Sequence, residues 1–263
     1  MAIFLGAVVV LTAGIVVVVV LTRSPVRTPG CTVALPGQTS YTFTPEQMDS
    51  AATIAGVGTK LGLPPHAATV ALATALQESK LRNLEGGDRD SVGLFQQRPS
   101  QGWGTVAQLR DPVYAATAFY EKLEKLPGWE TLPITEAAQE IQRSGVPDAY
   151  AQWEPQARAM AAAFTGQYPA ALTCRNLTLA APGDLATTAT NELGTAKLSG
   201  AHPAGQGWAY ASWLVGRAEA LGVDKVSFAG QTWTAESGAA WAQDSAAGQD
   251  LSLHQAPAAQ PSQ

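Results

Sequence analysis

The sequence predicts a mainly α protein in three parts: an N-terminal transmembrane helix, an α-helical domain over 43–174, and a small α+β domain over 206–255. Three observations carry this reading. Ala2 to Thr22 holds no charged residue and is rich in Val, enough to cross a bilayer core, which takes roughly 20 apolar residues as a helix. The middle of the chain repeats helix-starting signals followed by apolar residues at helical spacing, with weak strand signals. Beyond Gly205, an amphipathic stretch is followed by the short runs Val226-Ser227-Phe228 and Leu251-Ser252-Leu253, with Trp233 and Trp241 between them.

At the N-terminus, a cleaved signal peptide would show a basic start, a shorter apolar core and a small-x-small site. No basic residue precedes the run, and Leu21-Thr22-Arg23 is a poor cleavage site, so 1–23 reads as a single uncleaved anchor and 24–42 as a juxtamembrane segment. Thr28-Pro29-Gly30-Cys31 lacks the upstream apolar residue that a lipid-modified cysteine would need. Arg23 and Arg27 follow the span, and the positive-inside rule alone would leave the body inside the cell. The cysteines weigh the other way. Cys31 and Cys174, the only two, bracket the α domain without any CxxC or Cys/His cluster that would hold a metal. Paired, they would close a long loop worth roughly 4–5 kcal/mol on the chain-entropy view, and would need an oxidising compartment, which places the body outside the membrane. Two unrelated free thiols are the alternative.

In the α domain, Thr44-Pro45-Glu46-Gln47 combines an N-cap, Pro at the first helical position and Gln three residues after the cap, opening a helix to about Leu61. Pro64-Pro65 starts the helix that ends on Gln77-Glu78-Ser79. Asp111-Pro112 starts another, with Tyr114, Ala118 and Leu123 on its buried stripe and an end near Pro127-Gly128. Thr135 is expected to cap a helix through about Arg143, Pro147 to Tyr150 to make a turn, and Glu154 to Phe164 to form the last helix. The Ala-, Thr- and Gly-rich stretch 175–205 reads as a linker. Gly207 to Leu221 repeats apolar residues on one face (Trp208, Ala211, Val215, Ala218, Leu221), and the polar tail 256–263 reads as disordered.

Net charge is −5 with 14% charged residues and no basic block, which argues against a nucleic-acid partner and fits a neutral or sugar-rich ligand. His66, His202 and His254 are scattered, and none stands with a Ser or Cys in a nucleophilic arrangement; no cofactor or metal is expected.

Glu78 is the most informative titratable residue. A carboxylate in the last turn of an apolar helix meets the negative end of the helix dipole and a poorly solvating environment, and both raise its pKa. A carboxylic acid protonated near neutral pH is what a glycosidase uses to protonate a leaving oxygen. Asp88 and Asp90, in the Gly-rich loop that follows, are candidates for a second carboxylate, which an inverting hydrolase holds about 6.5–9.5 Å from the acid. A solvated turn with Gly87 and Arg89 is their other reading. Trp103, in Gln101-Gly102-Trp103-Gly104, either stacks on a sugar face or packs beneath its loop.

Glu78-Ser79 followed by Gly93-Leu94-Phe95-Gln96 resembles the Glu-Ser and Gly-Leu-Met-Gln motifs of soluble lytic transglycosylases and related lysozyme-like domains. The run GDRDSVGLFQQRPSQGWGT, then Asp111-Pro112 and an aromatic helix, looks like an actinobacterial membrane-anchored branch of that superfamily, over roughly Phe43 to Phe164. The resemblance implies a lysozyme-like α domain acting on peptidoglycan glycan strands, with Glu78 as general acid/base. It implies that Ser79 positions the carboxyl, that Gln96 reaches toward the substrate, and that Ser91 and Gln97, in the same turn, bind substrate or position the acid. The family's Ala-Tyr-Asn motif is replaced by Ile141-Gln142-Arg143-Ser144-Gly145, which leaves either Gln142 or Tyr150 to position the acid. The C-terminal domain resembles small modules appended to actinobacterial cell-wall proteins, and distantly a peptidase-like module of which only His254 would remain. The expected protein is a single-pass membrane enzyme with an extracytoplasmic body. A catalytically silent glycan-binding or scaffolding protein of an envelope assembly is the alternative.

Overall fold

The computed structural model describes residues 7–12, 15–20, 28–236 and 240–257. Its architecture is mainly helical, with three small antiparallel sheets.

The apolar N-terminal run departs from expectation. Ala7–Thr12 (β1) and Ile15–Val20 (β2) pair as antiparallel strands with Ala7 opposite Val20 and Thr12 opposite Ile15. The rest of 1–23 lies outside the described residues, and among the described residues no helix is long and apolar enough to cross a membrane. The length rule reads hydropathy alone, whereas a run of β-branched valines is stiff at χ1 and favours extended backbone.

The body begins with a sheet that the sequence did not advertise. Gly30–Val33 (β3) is its middle strand, between Tyr41–Phe43 (β4) and Leu172–Arg175 (β5). Cys31 stands opposite Cys174 across β3 and β5 and is joined to it by a disulfide spanning 143 residues of sequence. The cross-link ties the two ends of the α domain together, and closing so long a loop is worth roughly 4–5 kcal/mol against the unfolded chain.

Pro45–Lys60 (α1) opens with the full capping box: Gln47 N–H donates to Thr44 Oγ1, and the Thr44 N–H donates to Gln47 Oε1. Pro65–Ser79 (α2) is the axis of the domain. From Ala67 to Leu76 every residue is buried, because α2 is surrounded by α1, Pro112–Leu123 (α4), Ile134–Gln142 (α5) and Glu154–Phe164 (α6). The alanines of α2 and α6 suit this position, since small side chains allow close packing on every side of a helix that is apolar all round. The short helix Val106–Leu109 (α3) leads into α4. Thr135 does not cap α5: Pro133 holds the N-cap position, and the Thr135 hydroxyl instead donates to the Pro147 carbonyl in the following 3-10 turn, Pro147–Trp153.

The expected linker 175–205 contains Leu185–Leu193 (α7), whose N-cap Asp184 accepts from the Thr187 N–H and which packs on α1. The expected helix 207–221 begins earlier and is split into Ala204–Gly216 (α8) and Ala218–Leu221 (α9). Val223–Phe228 (β6), Gln231–Thr234 (β7), Ala242–Gln243 (β8) and Ser252–Gln255 (β9) form an antiparallel sheet ordered β8-β7-β6-β9. This C-terminal unit is packed into the body, and one hydrophobic core runs through both. The indole of Trp233 donates to the Cys174 carbonyl and that of Trp241 to the Leu172 carbonyl. Of the tail, residues 258–263 lie outside the described residues.

Candidate active site

Glu78 lies one residue before the end of α2, where the helix emerges from its surroundings. The chain leaves with two consecutive non-glycine residues in the left-handed region, Lys80 (φ 56°) and Leu81 (φ 59°). Leu81 is fully buried, and its N–H donates back to the Ala75 carbonyl while that of Lys80 donates to Leu76. A left-handed turn of this kind is usually made by glycine, and side chains there cost about 1–2 kcal/mol per residue. Packing of Leu81 and the bond from Gln47 Nε2 to the Lys80 carbonyl hold it in place.

Against this helix end lies the turn Val92–Gln97. Val92 and Gln97 form a β-bridge, and Gly93 bridges back to Leu84. Gly93 has φ +77°, and a Cβ there would strike the Leu109 carbonyl, so the turn requires glycine. Leu94 and Phe95 are buried, with Phe95 stacked on Phe119 at 4.7 Å between centroids. The Ser79 hydroxyl donates to the Leu94 carbonyl at 2.7 Å, which fastens the helix end beside Glu78 to the turn.

Tyr150, fully buried in the 3-10 turn, donates its hydroxyl to Glu78 Oε1 at 2.7 Å. Gln142, at the end of α5, donates to the Phe95 carbonyl at 2.7 Å and lies beside the same carboxyl. Burial raises the Glu78 pKa, and this outweighs the hydrogen bonds from Tyr150 and Gln142 and the charge of Lys80, which act in the opposite direction. Burial, followed by the Glu78 charge, raises the Tyr150 pKa, so this hydroxyl stays a donor. Of the two residues that the sequence left as alternatives, both approach the Glu78 carboxyl, and Tyr150 bonds it at 2.7 Å.

The other named residues divide clearly. Gln96 has its amide folded onto its own turn: Oε1 accepts from the Ser91 hydroxyl at 3.0 Å, and Nε2 donates to the Gly93 carbonyl at 3.1 Å. Ser91 also donates to the Asp88 carbonyl, and Gly87 sits so close to Gln96 and Ser91 that a Cβ would collide with both. Gln97 is buried and donates to the Ala115 carbonyl, a structural bond. Asp90 is bound to its own loop. The backbone N–H of Ser100, then Arg98 Nε at 2.7 Å and the Ser100 hydroxyl, hold its carboxyl well below the usual range. Asp88 is exposed, with Arg89 at 3.8 Å as its ion-pair partner. Trp103 packs beneath its loop against Val92 and Leu109, and the ammonium of Lys122 sits over its ring at 3.1 Å from the centroid.

Sequence reasoning missed the far flank of the site. Gln77 Oε1 accepts from the Trp153 indole at 2.7 Å and from Gln152, and Lys80 lies over the Trp153 ring at 4.2 Å. The adjacency of Gln77 to Glu78 was visible; the partner lies 76 residues away. The chain matches no protein-family model and no curated protein.

Proposed function

We propose that this chain is a membrane-attached, extracytoplasmic enzyme that cleaves peptidoglycan glycan strands, a lysozyme-like lytic transglycosylase or muramidase with Glu78 as its general acid/base. One observation carries the proposal: a half-buried carboxyl with a raised pKa, at the end of a buried helix, bonded to the Tyr150 hydroxyl and flanked by the Gly93-Leu94-Phe95-Gln96 turn. Protonated Glu78 gives its proton to the glycosidic oxygen as the bond to the anomeric carbon breaks. The resulting carboxylate then removes a proton from the nucleophile. When the nucleophile is the sugar's own 6-hydroxyl, the product carries a 1,6-anhydro end; when it is water, a reducing end.

The anhydro route fits the surroundings better, because it needs one carboxylate and Asp90 is committed to Arg98 and Ser100. The disulfide supports an oxidising compartment, and the uncharged run 2–22 supports attachment to a membrane.

The test is digestion of purified peptidoglycan by the full-length chain beside Glu78→Gln, with products read by mass spectrometry. Anhydro-ended fragments falling by about 10²–10⁴-fold in the variant are expected. Reducing-end products would make it a hydrolase and return Asp88 as the base. No products from folded protein that still binds glycan would replace the enzyme with the scaffolding reading.

A further inference from the structure

A cleft of about 640 Å³ opens beside Trp103, between the end of α4, the end of α5 and the loop at Gln101. Its size suits a short flexible substituent. Lys122, Lys125 and Arg143 line it, against a single acid, Glu140. None of these three cations takes part in an ion pair among the described residues, although the chain as a whole is acidic at −5. Charges of one sign facing a concave surface focus the local field toward the opposite sign.

Lys122 is also held in place. A lysine ammonium on an open surface is solvated and samples many rotamers, but here it rests on the face of an indole that is itself packed against Val92 and Leu109. Burial, then the charges of Arg143 and Lys125, lowers the Lys122 pKa, and an anion in the cleft would offset those two neighbouring charges. The ring face is already occupied by Lys122, which makes Trp103 a support for the cation and not a platform for sugar stacking. Gln142 lines the same cleft, bonds the Phe95 carbonyl and lies beside the Glu78 carboxyl, so this one side chain links the cleft to Glu78.

We infer that this cleft is a carboxylate-reading subsite, which binds acidic peptide substituents of the glycan strand while the strand itself lies at Glu78. The inference rests on the glycan-cleaving reading. Peptidoglycan chemistry supplies the ligand: the sugars are neutral where peptide-substituted, and the carboxylates sit on the peptides attached to them.

The experiment is calorimetric titration of the full-length chain with three probes: a disaccharide-peptide with free carboxylates, the same molecule with its carboxylates amidated, and a peptide-free glycan oligosaccharide. Wild type is expected to bind the carboxylate form about tenfold more tightly than the amidated one, as charge-assisted contacts would give. Lys125→Gln with Arg143→Gln should bring that ratio near one and leave the peptide-free oligosaccharide unchanged. Lys122→Arg, which keeps both the charge and the contact with Trp103, should retain the preference. Equal binding of the first two probes by wild type, or an unchanged ratio in the Gln variant, overturns the subsite and leaves glycan cleavage standing. Failure of wild type to bind or cleave any of the three overturns both. Thermal melting of each variant separates lost binding from lost folding.

Discussion

Among the described residues, burial raises the pKa of carboxyls in two places, and the two have different partners. Where α1, α7 and α8 meet, Asp49 and Glu192 flank one guanidinium: Arg217 lies 2.7 Å from Asp49 Oδ1 and 3.1 Å from Glu192 Oε1. Glu192 further accepts from the Trp213 indole at 2.8 Å and from the Thr53 hydroxyl. At the end of α2, Glu78 has a phenol and an amide but no guanidinium, and the nearby Lys80 is turned onto Trp153. In all three carboxyls burial raises the pKa and the partners oppose it. The difference lies in what happens if the proton leaves. At the triad a fixed cation receives the charge, so the group serves to join the C-terminal unit to the α domain. At Glu78 the charge would be supported by two hydrogen bonds and the Lys80 charge, with no cation in ion-pair contact among the described residues. On the proposed function this leaves the proton available for transfer to a substrate.

The contrast can be broken first at the triad. Arg217→Met leaves two buried carboxylates without their cation, and should cost about 3–5 kcal/mol in urea unfolding monitored by tryptophan fluorescence. Adding Glu192→Gln to that variant should recover part of the loss; a single variant as stable as wild type would mean that the ion pairs do not join the two units.

Tyr150→Phe acts at the other carboxyl and is milder. It removes a bond worth about 1–1.5 kcal/mol, for a loss of activity of roughly tenfold. Because that bond favours the ionised form, its removal raises the Glu78 pKa further, and the alkaline limb of the pH–rate profile should move to higher pH. A lower rate with an unmoved profile would leave Tyr150 as packing alone.

The smallest effect is on stability. A carboxyl whose folded pKa is raised binds more protons in the native state than in the unfolded one, so its contribution is favourable below the ordinary Glu value of 4.5 and is lost as pH rises through the raised value. Glu78→Gln has no such dependence. Melting temperatures of wild type and Glu78→Gln should therefore diverge as pH rises through that window, with the variant the more stable at neutral pH. Parallel curves would mean that Glu78 is not perturbed.

The helix signals with local chemistry were legible in the sequence. Thr44 with Gln47, Pro65, and Asp111 with Pro112 mark helix starts that depend on neighbouring residues alone. The strand β3 was not legible, because its partners lie far away in sequence and four residues carry too little period-2 pattern. The helix α7 read as linker because its Ala- and Thr-rich face is stabilised by packing on α1 and by Glu192 reaching Trp213. Gln96 and Trp103 had residue types suited to a ligand, but tertiary partners claimed them: Ser91 and the Gly93 carbonyl for one, Lys122 for the other.

By itself the sequence determined where several helices begin, that a carboxyl ends the apolar helix α2, and that the Gly93 turn follows it. These follow from capping geometry, side-chain periodicity and steric limits on backbone dihedrals, all set by residues close together in the chain. Only the tertiary structure decided that Tyr150 would meet Glu78 from 72 residues away, that Asp90 would be bound by its own loop, and that Lys122 would rest on Trp103. Those outcomes depend on which surfaces are brought together and dehydrated, and so on the packing of the whole chain.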